Sequence, residues 1–350
     1  MTNKKWAFCT LGLCFLGLFL LGSITFIIDP FFHYHPPLEQ LNYPLFDERH
    51  QIDGILRHFD YDTVIIGSSM TSNFKTTQCD ALFGGTTVKT PLSATTYKEP
   101  RDHLLRAFEA NPNIQTVIWG MDGFKLIVDK DAIAYDTNPT YLSDDSLWND
   151  IQYVLNKQAL VTGSFRVLKH TIQGNVHADF DRYDNFMRGK TFGKDAILQK
   201  YERYDKREDV LILAEEDKQK VQENLQQNII SLAQQYPDTQ FLLFFPPVSI
   251  YYFELINRLG NLKPELDAYK FATELLLQQQ NIKLYSFFDE YDMISNPDNY
   301  MDLYHYHEDI NSKILVWMKE GQHQLTEENY EDHWNQVYSF LSTFDYDSLL

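Results

Sequence analysis

A pair of serines directly follows a short apolar segment and offers the first reactive chemistry in the sequence. Residues 62–67 are rich in β-branched side chains and predict a buried strand, and Ser68 and Ser69 come next. At a sharp strand-to-helix turn, the Ser69 hydroxyl would be exposed at the sheet edge. Backbone N–H groups at the helix start, such as that of Met70, could hold a developing oxyanion. The alternative is an ordinary helix cap, because serine is a preferred capping residue.

Two residues near the other end of the chain can complete a hydrolase-type set. Asp302 and His305 follow the last predicted strand, and residues three apart on one helical turn face the same way. The carboxylate can fix the tautomer of the imidazole, and the ring can take the proton of the serine hydroxyl. We therefore predict a catalytic triad of Ser69, Asp302 and His305. The alternative is a solvated carboxylate and a histidine packed among aromatic rings.

A metal site is a weaker hypothesis for the same stretch. His305 and His307 form a His-x-His pair, but a zinc centre needs three or four converging ligands. If His305 belongs to a triad, His307 faces away from it or packs. We expect neither a metal nor another cofactor.

The elements that must position these residues alternate between strand and helix. Uninterrupted apolar strands separated by helices indicate an α/β fold, with a parallel sheet flanked by helices. Ligands of such sheets lie at the carboxyl ends of the strands, where Ser69 and the segment around His305 are both expected. The predicted strands are residues 62–67, 86–92, 114–119, 240–245 and 282–287, and the helices are 47–59, 97–110, 215–236 and 264–279, with two more from 308 and 327.

Both reactive segments resemble blocks of the SGNH (GDSL) hydrolases. Gly67-Ser68-Ser69-Met70-Thr71 is similar to the first block, usually Gly-Asp-Ser-x-Thr, with Ser69 at the nucleophile. Asp302-Leu303-Tyr304-His305 is similar to the closing Asp-x-x-His block. The resemblance covers residues 60–320 apart from an insertion. It implies a flavodoxin-like, three-layer fold and a serine esterase or acyltransferase.

Three positions depart from the pattern of that superfamily. Ser68 replaces the aspartate of the first block, and Ala94 stands where the second block has a glycine whose N–H serves the oxyanion hole. Asp122 replaces the asparagine of the third block, another oxyanion donor. An ionised Asp122 would repel an oxyanion, and it helps only if it is held protonated. Because losing one donor costs about 10²–10³ in rate, the resemblance implies a slow site or one that only binds.

The first segment of the chain predicts a membrane anchor. Residues 6–28 carry no charge and would span roughly 34 Å as a helix, enough to cross a hydrocarbon core. Lys4 and Lys5 precede them, which predicts a cytoplasmic N-terminus and an extracytoplasmic remainder. A cleaved signal peptide is the alternative, but the apolar run is long and lacks a good small-x-small site.

The domain organisation follows from this anchor and from the rhythm of the predicted elements. We predict a cytoplasmic tip and anchor at 1–28, a stem and lead-in helix at 29–59, and the α/β domain at 60–350. Residues 125–209 do not fit the alternation, apart from one helical stretch at 147–172. They are predicted to be an insertion that forms a lid, a substrate platform or a helical buttress.

Composition excludes two classes of protein. The net charge is −19, with 49 acidic against 30 basic residues, and no Lys/Arg-rich run exists to neutralise phosphates. We therefore expect no nucleic acid partner. Cys79 is the one cysteine outside the apolar segment, so an intrachain disulfide cannot hold the outer domain.

Two functional hypotheses are compatible with the sequence. The first is a membrane-anchored, extracytoplasmic serine esterase or O-acyltransferase acting on acylated cell-envelope or exopolysaccharide glycans. The second is a non-catalytic SGNH-fold subunit that works with other membrane proteins in an envelope or exopolysaccharide assembly system. Asp122 favours the second hypothesis, whereas the set of Ser69, Asp302 and His305 favours the first.

Overall fold

A six-stranded sheet forms the centre of the fold in a computed structural model that describes residues 3–134, 139–144, 146–209 and 211–349. The strand order is β2-β1-β3-β4-β5-β6; the first five strands are parallel, and β6 is antiparallel to β5. The predicted mixed α/β fold with a parallel sheet is confirmed, whereas the short antiparallel edge was not predicted. The strands are β1 (Thr63–Gly67), β2 (Thr87–Pro91), β3 (Thr116–Gly120), β4 (Gln240–Phe245), β5 (Ile282–Ser286) and β6 (Gln324–Leu325).

Helices cover both faces of the sheet, so the central strands are apolar throughout rather than alternating. A row of α2, α4, α8, α11 and α14 packs along one face, and α3 and α13 pack together on the other. The helices are α1 (Asn3–Ile28), α2 (Glu48–His58), α3 (Thr76–Phe83), α4 (Lys98–Ala110), α5 (Ile151–Val154), α6 (Phe165–Ile172), α7 (Lys194–Leu198), α8 (Glu215–Leu225), α9 (Ser231–Gln235), α10 (Ile250–Arg258), α11 (Leu262–Leu277), α12 (Tyr291–Ser295), α13 (Glu308–Glu320) and α14 (Tyr330–Thr343).

The direction in which strands are added to the sheet reverses between β1 and β3. The chain passes from β1 outward to β2 and then returns to β3 on the other side of β1. Ligands of doubly wound sheets bind at the carboxyl ends of the strands beside such a switch point. Gly67 and Gly120 end the two strands as register partners, and a Cβ on Gly120 would lie 2.8 Å from Cγ2 of Thr71. This glycine allows the two loops beyond the strands to approach closely.

Helix α1 has the length and apolar composition to cross a membrane, a property that a signal sequence shares. The chain turns sharply after it at Asp29, whose φ is 45°. The Asp29 carboxylate accepts hydrogen bonds from the backbone N–H groups of His33, Tyr34 and His35 at 2.7–3.0 Å. The hydroxyl of Tyr153 donates to the same carboxylate at 2.6 Å. The stem is therefore folded against the base of the domain.

The segment predicted as an insertion contacts two distant parts of the molecule. Helical structure begins at Ile151 rather than at residue 147, and a π-helical stretch (Gln158–Ser164) separates α5 from α6. This helical part packs against α1. Residues 184–200 instead lie beside the carboxyl edge of the sheet, where Gly193 N–H donates to the Tyr300 carbonyl. Residues 135–138 and 145, in the same predicted insertion, lie outside the described residues.

Candidate active site

Ser68 caps the short 3₁₀ helix that follows β1 and leaves the neighbouring Ser69 hydroxyl free for another partner. The helix comprises Ser69–Thr71, and the Ser68 Oγ accepts a hydrogen bond from Met70 N–H at 3.2 Å. The Ser69 hydroxyl lies 2.8 Å from Nε2 of His305. Ser69 is partly exposed, whereas Ser68 is buried. Ser68 is therefore the helix cap, and the adjacent Ser69 is the candidate nucleophile.

Asp302 holds both the ring and the backbone of His305. Nδ1 of His305 lies 3.0 Å from each oxygen of the Asp302 carboxylate, and Oδ1 also accepts backbone N–H groups from Tyr304 at 3.0 Å and His305 at 2.9 Å. The prediction that Asp302 and His305 lie on one helical turn is wrong. They lie in a tight loop closed by a β-bridge between Tyr300 and Tyr306, and the carboxylate itself sets that loop.

The Asp302 carboxyl is only 7% exposed, yet it favours the ionised form. Burial acts to raise its pKa, but hydrogen bonds from the His305 ring and from two backbone N–H groups outweigh burial, and the pKa falls well below its usual range. Lys200 adds a positive charge 3.3 Å from Oδ2. An ionised Asp302 can fix the His305 tautomer and stabilise the imidazolium that forms when the ring accepts a proton.

The three candidate oxyanion donors, Met70, Ala94 and Asp122, occupy different environments. The Met70 N–H already donates to Ser68, so it has an acceptor within the loop. Ala94 is exposed and has a φ of 57°, a left-handed conformation that favours glycine. The backbone at Ala94 therefore has a conformation that favours glycine, which is the residue at the corresponding position of the SGNH pattern.

The side chains of Asp122 and Ser68, two of the departures from the SGNH pattern, touch each other. Ser68 Oγ donates to Oδ1 of Asp122 at 3.0 Å, and Asp122 is 6% exposed. Burial raises the pKa of Asp122 to about 6, although the hydrogen bond from Ser68 and the nearby side chains of Lys125 and His305 act to lower it. Asp122 is therefore mostly ionised at pH 7 but close to its protonation point.

Residues 184–186 fasten the distal part of the predicted insertion onto the loop that carries Ser69. The Ser72 hydroxyl donates to Asp184 Oδ2 at 2.5 Å, and Phe186 N–H donates to Asn73 Oδ1 at 3.3 Å. The Phe186 ring then meets the His305 ring edge-on, with centroids 5.4 Å apart. Sequence reasoning did not identify Phe186, because nothing in its local pattern indicates a contact with a loop more than 100 residues away.

Replacing Phe186 with alanine should loosen the His305 ring without removing any hydrogen bond of the predicted triad. We expect kcat for ester hydrolysis to fall by about 10–10²-fold, since small misplacements of a reacting group carry costs of this size. Phe192→Ala is the matched control, because Phe192 packs on His307, with centroids 5.0 Å apart, rather than on His305. Steady-state kinetics with melting temperatures check this expectation. Equal kcat values for the two variants would contradict it.

Comparisons with known proteins add little to this geometry. The sequence matches no protein-family model, and no curated protein matches it. Among solved structures, a protein from Streptococcus pneumonia provisionally described as a platelet activating factor is similar at 13% identity and a TM-score of 0.38. The match covers 78% of this chain and 91% of the other. A likeness this distant assigns neither a family nor a function.

Proposed function

We propose that this chain is a membrane-anchored, extracytoplasmic SGNH-type serine esterase or O-acyltransferase that acts on acylated cell-envelope or exopolysaccharide glycans. The observation that carries the proposal is the hydrogen-bonded series from Ser69 through His305 to Asp302. This series lies at the carboxyl edge of a parallel sheet, beside the switch point. A serine, a histidine and an ionised aspartate in this order are the parts required for acyl transfer.

The reaction would run through an acyl-enzyme. Ser69 Oγ attacks the ester carbonyl carbon while Nε2 of His305 takes the hydroxyl proton, and Asp302 stabilises the resulting imidazolium. The tetrahedral intermediate collapses as the imidazolium returns that proton to the leaving alkoxide. Water or a sugar hydroxyl then attacks the acyl group, and His305 takes its proton and passes it to Ser69. Hydrolysis and transfer differ only in this acceptor.

Charge on the developing oxyanion would be held by main-chain donors. We assign this role to the N–H groups of Ser69 and Ala94, since Met70 N–H is engaged by Ser68. Asp122 weakens the site while it is ionised and contributes a donor when it is protonated. This predicts an enzyme whose rate is limited by its oxyanion hole.

Aromatic side chains beside His305 favour a ring-shaped substrate. Tyr304 precedes His305, and its ring lies 5.4 Å from that of Phe124, which is 42% exposed. The Tyr304 ring also contacts the buried ring of Tyr252, with centroids 5.2 Å apart, which supports it from below the surface. The apolar face of a sugar ring can pack on such a surface while its polar edge stays in water. An uncleaved α1, with Lys4 and Lys5 at its N-terminal end, would restrict this activity to acceptors at the outer surface of the membrane.

The second candidate is a non-catalytic SGNH-fold subunit of an envelope or exopolysaccharide assembly system, where other membrane proteins would be its partners. The buried carboxyl of Asp122 favours it, because an anion beside the reacting carbonyl opposes catalysis.

A fluorophosphonate probe separates the two candidates. With the full-length protein purified in detergent, we expect covalent labelling of Ser69, identified by peptide mass spectrometry, and hydrolysis of 4-nitrophenyl acetate. Heat-denatured protein is the control, since labelling must depend on the folded site. A folded protein that is neither labelled nor active would rule out the enzyme and favour the assembly subunit.

A further inference from the structure

Exposed apolar side chains outside α1 are concentrated in one stretch of the chain, residues 147–176. Of the twelve large exposed hydrophobic residues after α1 in the described part of the chain, eight lie there. Trp148 is 95% exposed and Ile172 86%. Soluble proteins scatter such residues singly, and a contiguous apolar patch indicates an interaction surface. We call this region the 147–176 surface.

The longer helical stretch of this surface, from Gln158 to Ile172, exposes large apolar side chains. These exposed residues recur at helical spacing, and the residues buried in this stretch, apart from one valine, are small. An amphipathic helix of a soluble domain has the opposite arrangement, with its large residues facing the core. The exposed residues are Val161, Phe165, Leu168 and Ile172, and the buried ones are Ala159, Gly163, Ser164 and Val167.

The 147–176 surface is attached directly to the end of α1. Val154 and Leu155 lie against Gly22, within 3.7 Å of where its Cβ would be. Gly163 packs so closely on Pro30 that a Cβ there would lie 2.8 Å from the proline ring. Together with the Tyr153–Asp29 hydrogen bond, these contacts hold the surface beside the point where α1 enters the domain.

Helix length places this junction at the edge of a bilayer. The apolar part of α1 that precedes the contact at Gly22, from Trp6 to Leu21, is only about 24 Å long. A hydrocarbon core is about 30 Å thick. If α1 spans the membrane, Gly22 and the side chains packed on it must therefore lie at the outer boundary of the hydrocarbon.

The exposed charges of the 147–176 surface are positive, whereas the net charge of the whole chain is negative. This surface exposes Lys157, Arg166 and Lys169, whereas the chain has a net charge of −19. Its one acidic residue, Asp150, is buried and lies 3.3 Å from the His33 ring. A basic, apolar surface beside a membrane helix complements anionic lipid headgroups and the acyl region beneath them.

We infer that the 147–176 surface inserts into the outer leaflet of the membrane, with Trp148 and the exposed helical residues at the acyl boundary and Lys157 and Lys169 at anionic headgroups. This inference rests on the proposed anchor, since α1 sets the depth. Two attachments, the spanning helix and this surface, then fix the orientation of the domain on the membrane.

Depth-dependent quenching of tryptophan fluorescence tests the insertion. The full-length protein is reconstituted into phosphatidylcholine–phosphatidylglycerol bilayers whose acyl chains are brominated at shallow or deep positions. The emission of Trp148 is obtained as the difference between wild type and Trp148→Phe. We expect strong quenching from the shallow bromines, because interfacial elements lie about 5–10 Å into the headgroup–acyl boundary. Ile212→Trp in the Trp148→Phe background, which places an indole at an exposed apolar position outside this surface, should remain unquenched.

Trp6→Phe reports on the anchor separately, because Trp6 lies in α1. Quenching of Trp6 without quenching of Trp148 would overturn the inserted surface and leave the anchor intact, with a protein partner as the remaining occupant. Quenching of neither residue would overturn both the anchor and this inference.

A charge variant tests the preference for anionic lipid. Lys157→Glu with Lys169→Glu should reduce Trp148 quenching in bilayers that contain phosphatidylglycerol and have little effect in pure phosphatidylcholine. Lys218→Glu with Lys220→Glu, on helix α8, is the matched control and should behave as wild type. Equal behaviour of the two double variants would overturn the headgroup contact.

Discussion

Replacing Ser69 with alanine is expected to lower kcat/KM for ester hydrolysis by roughly 10⁴-fold or more, since removal of a triad nucleophile leaves only the residual effects of binding and the oxyanion hole. The variant loses the hydroxyl that lies 2.8 Å from His305 Nε2, while the fold keeps the cap supplied by Ser68. Melting temperature should therefore change little. Mass spectrometry should also show an acyl-enzyme in the wild type and none in this variant.

Ser68→Ala is the matched control because it removes the adjacent hydroxyl and leaves the Ser69–His305 pair in place. It deletes the bond to Asp122 and the cap on Met70 N–H, so we expect a loss of about 1 kcal/mol in unfolding free energy. We expect only a modest loss of rate. If Ser69→Ala retains the activity of the wild type, or if Ser68→Ala loses as much as Ser69→Ala, the assignment of the nucleophile is wrong.

Asp122→Asn is expected to raise kcat/KM by about 10–10²-fold at pH 7, because an oxyanion donor is typically worth about 10²–10³ in rate. The amide oxygen can still accept the hydrogen bond from Ser68, and the new amide N–H₂ can donate to the oxyanion. The substitution also removes the negative charge beside the reacting carbonyl. A gain of function is the more stringent test, because simple damage to the fold cannot produce it.

The pH dependence gives a second measurement on the same variant. With a pKa of about 6 for Asp122, the protonated fraction falls as pH rises, and the wild-type rate should lose the contribution of that donor above pH 6. Folding raises this pKa above its unfolded value, so the folded state binds more protons and Asp122 reduces stability as pH rises through 6. Asp122→Asn should remove both trends.

Asp184→Asn provides the control for burial alone. Burial also raises the pKa of Asp184, although its hydrogen bond from Ser72 and the charge of Lys89 oppose the shift. This variant should also weaken the dependence of stability on pH. Because the asparagine carbonyl can still accept the hydrogen bond from Ser72, residues 184–186 stay attached and the rate per folded molecule should change little. An Asp122→Asn enzyme that is no faster than wild type across the pH range would contradict the role proposed for Asp122.

One predicted insertion connects the anchor and the candidate active site. Its helical part packs on α1 through Val154, Leu155 and Gly163, and its distal part meets the site through Phe186 and Lys200. The proposed membrane surface and the candidate active site are therefore contacted by the same segment of the chain. This arrangement suits a protein whose substrate lies at the membrane surface.

Local patterns in the sequence determined the secondary structure and the general plan of the fold. Buried strands such as residues 62–67 can be recognised because a strand covered on both faces requires apolar residues throughout. The uncharged residues 6–28 can be recognised as one long apolar helix, which has the length and composition to cross a membrane. Ser69 and His305 could be predicted to meet, although they are 236 residues apart, because carboxyl ends of parallel strands share one edge. Their catalytic roles remain a prediction.

Only the tertiary structure decided which side chains touch. The contact between Ser68 and Asp122 joins loops 54 residues apart, and no periodic pattern encodes it. The same holds for Phe186 on His305, which depends on the path of a long irregular segment. Residues 147–176 illustrate the limit most clearly, because an apolar helical pattern has the same spacing whether it faces the core or the solvent. Its exposed face follows from how the segment packs on α1, which is a property of the whole fold.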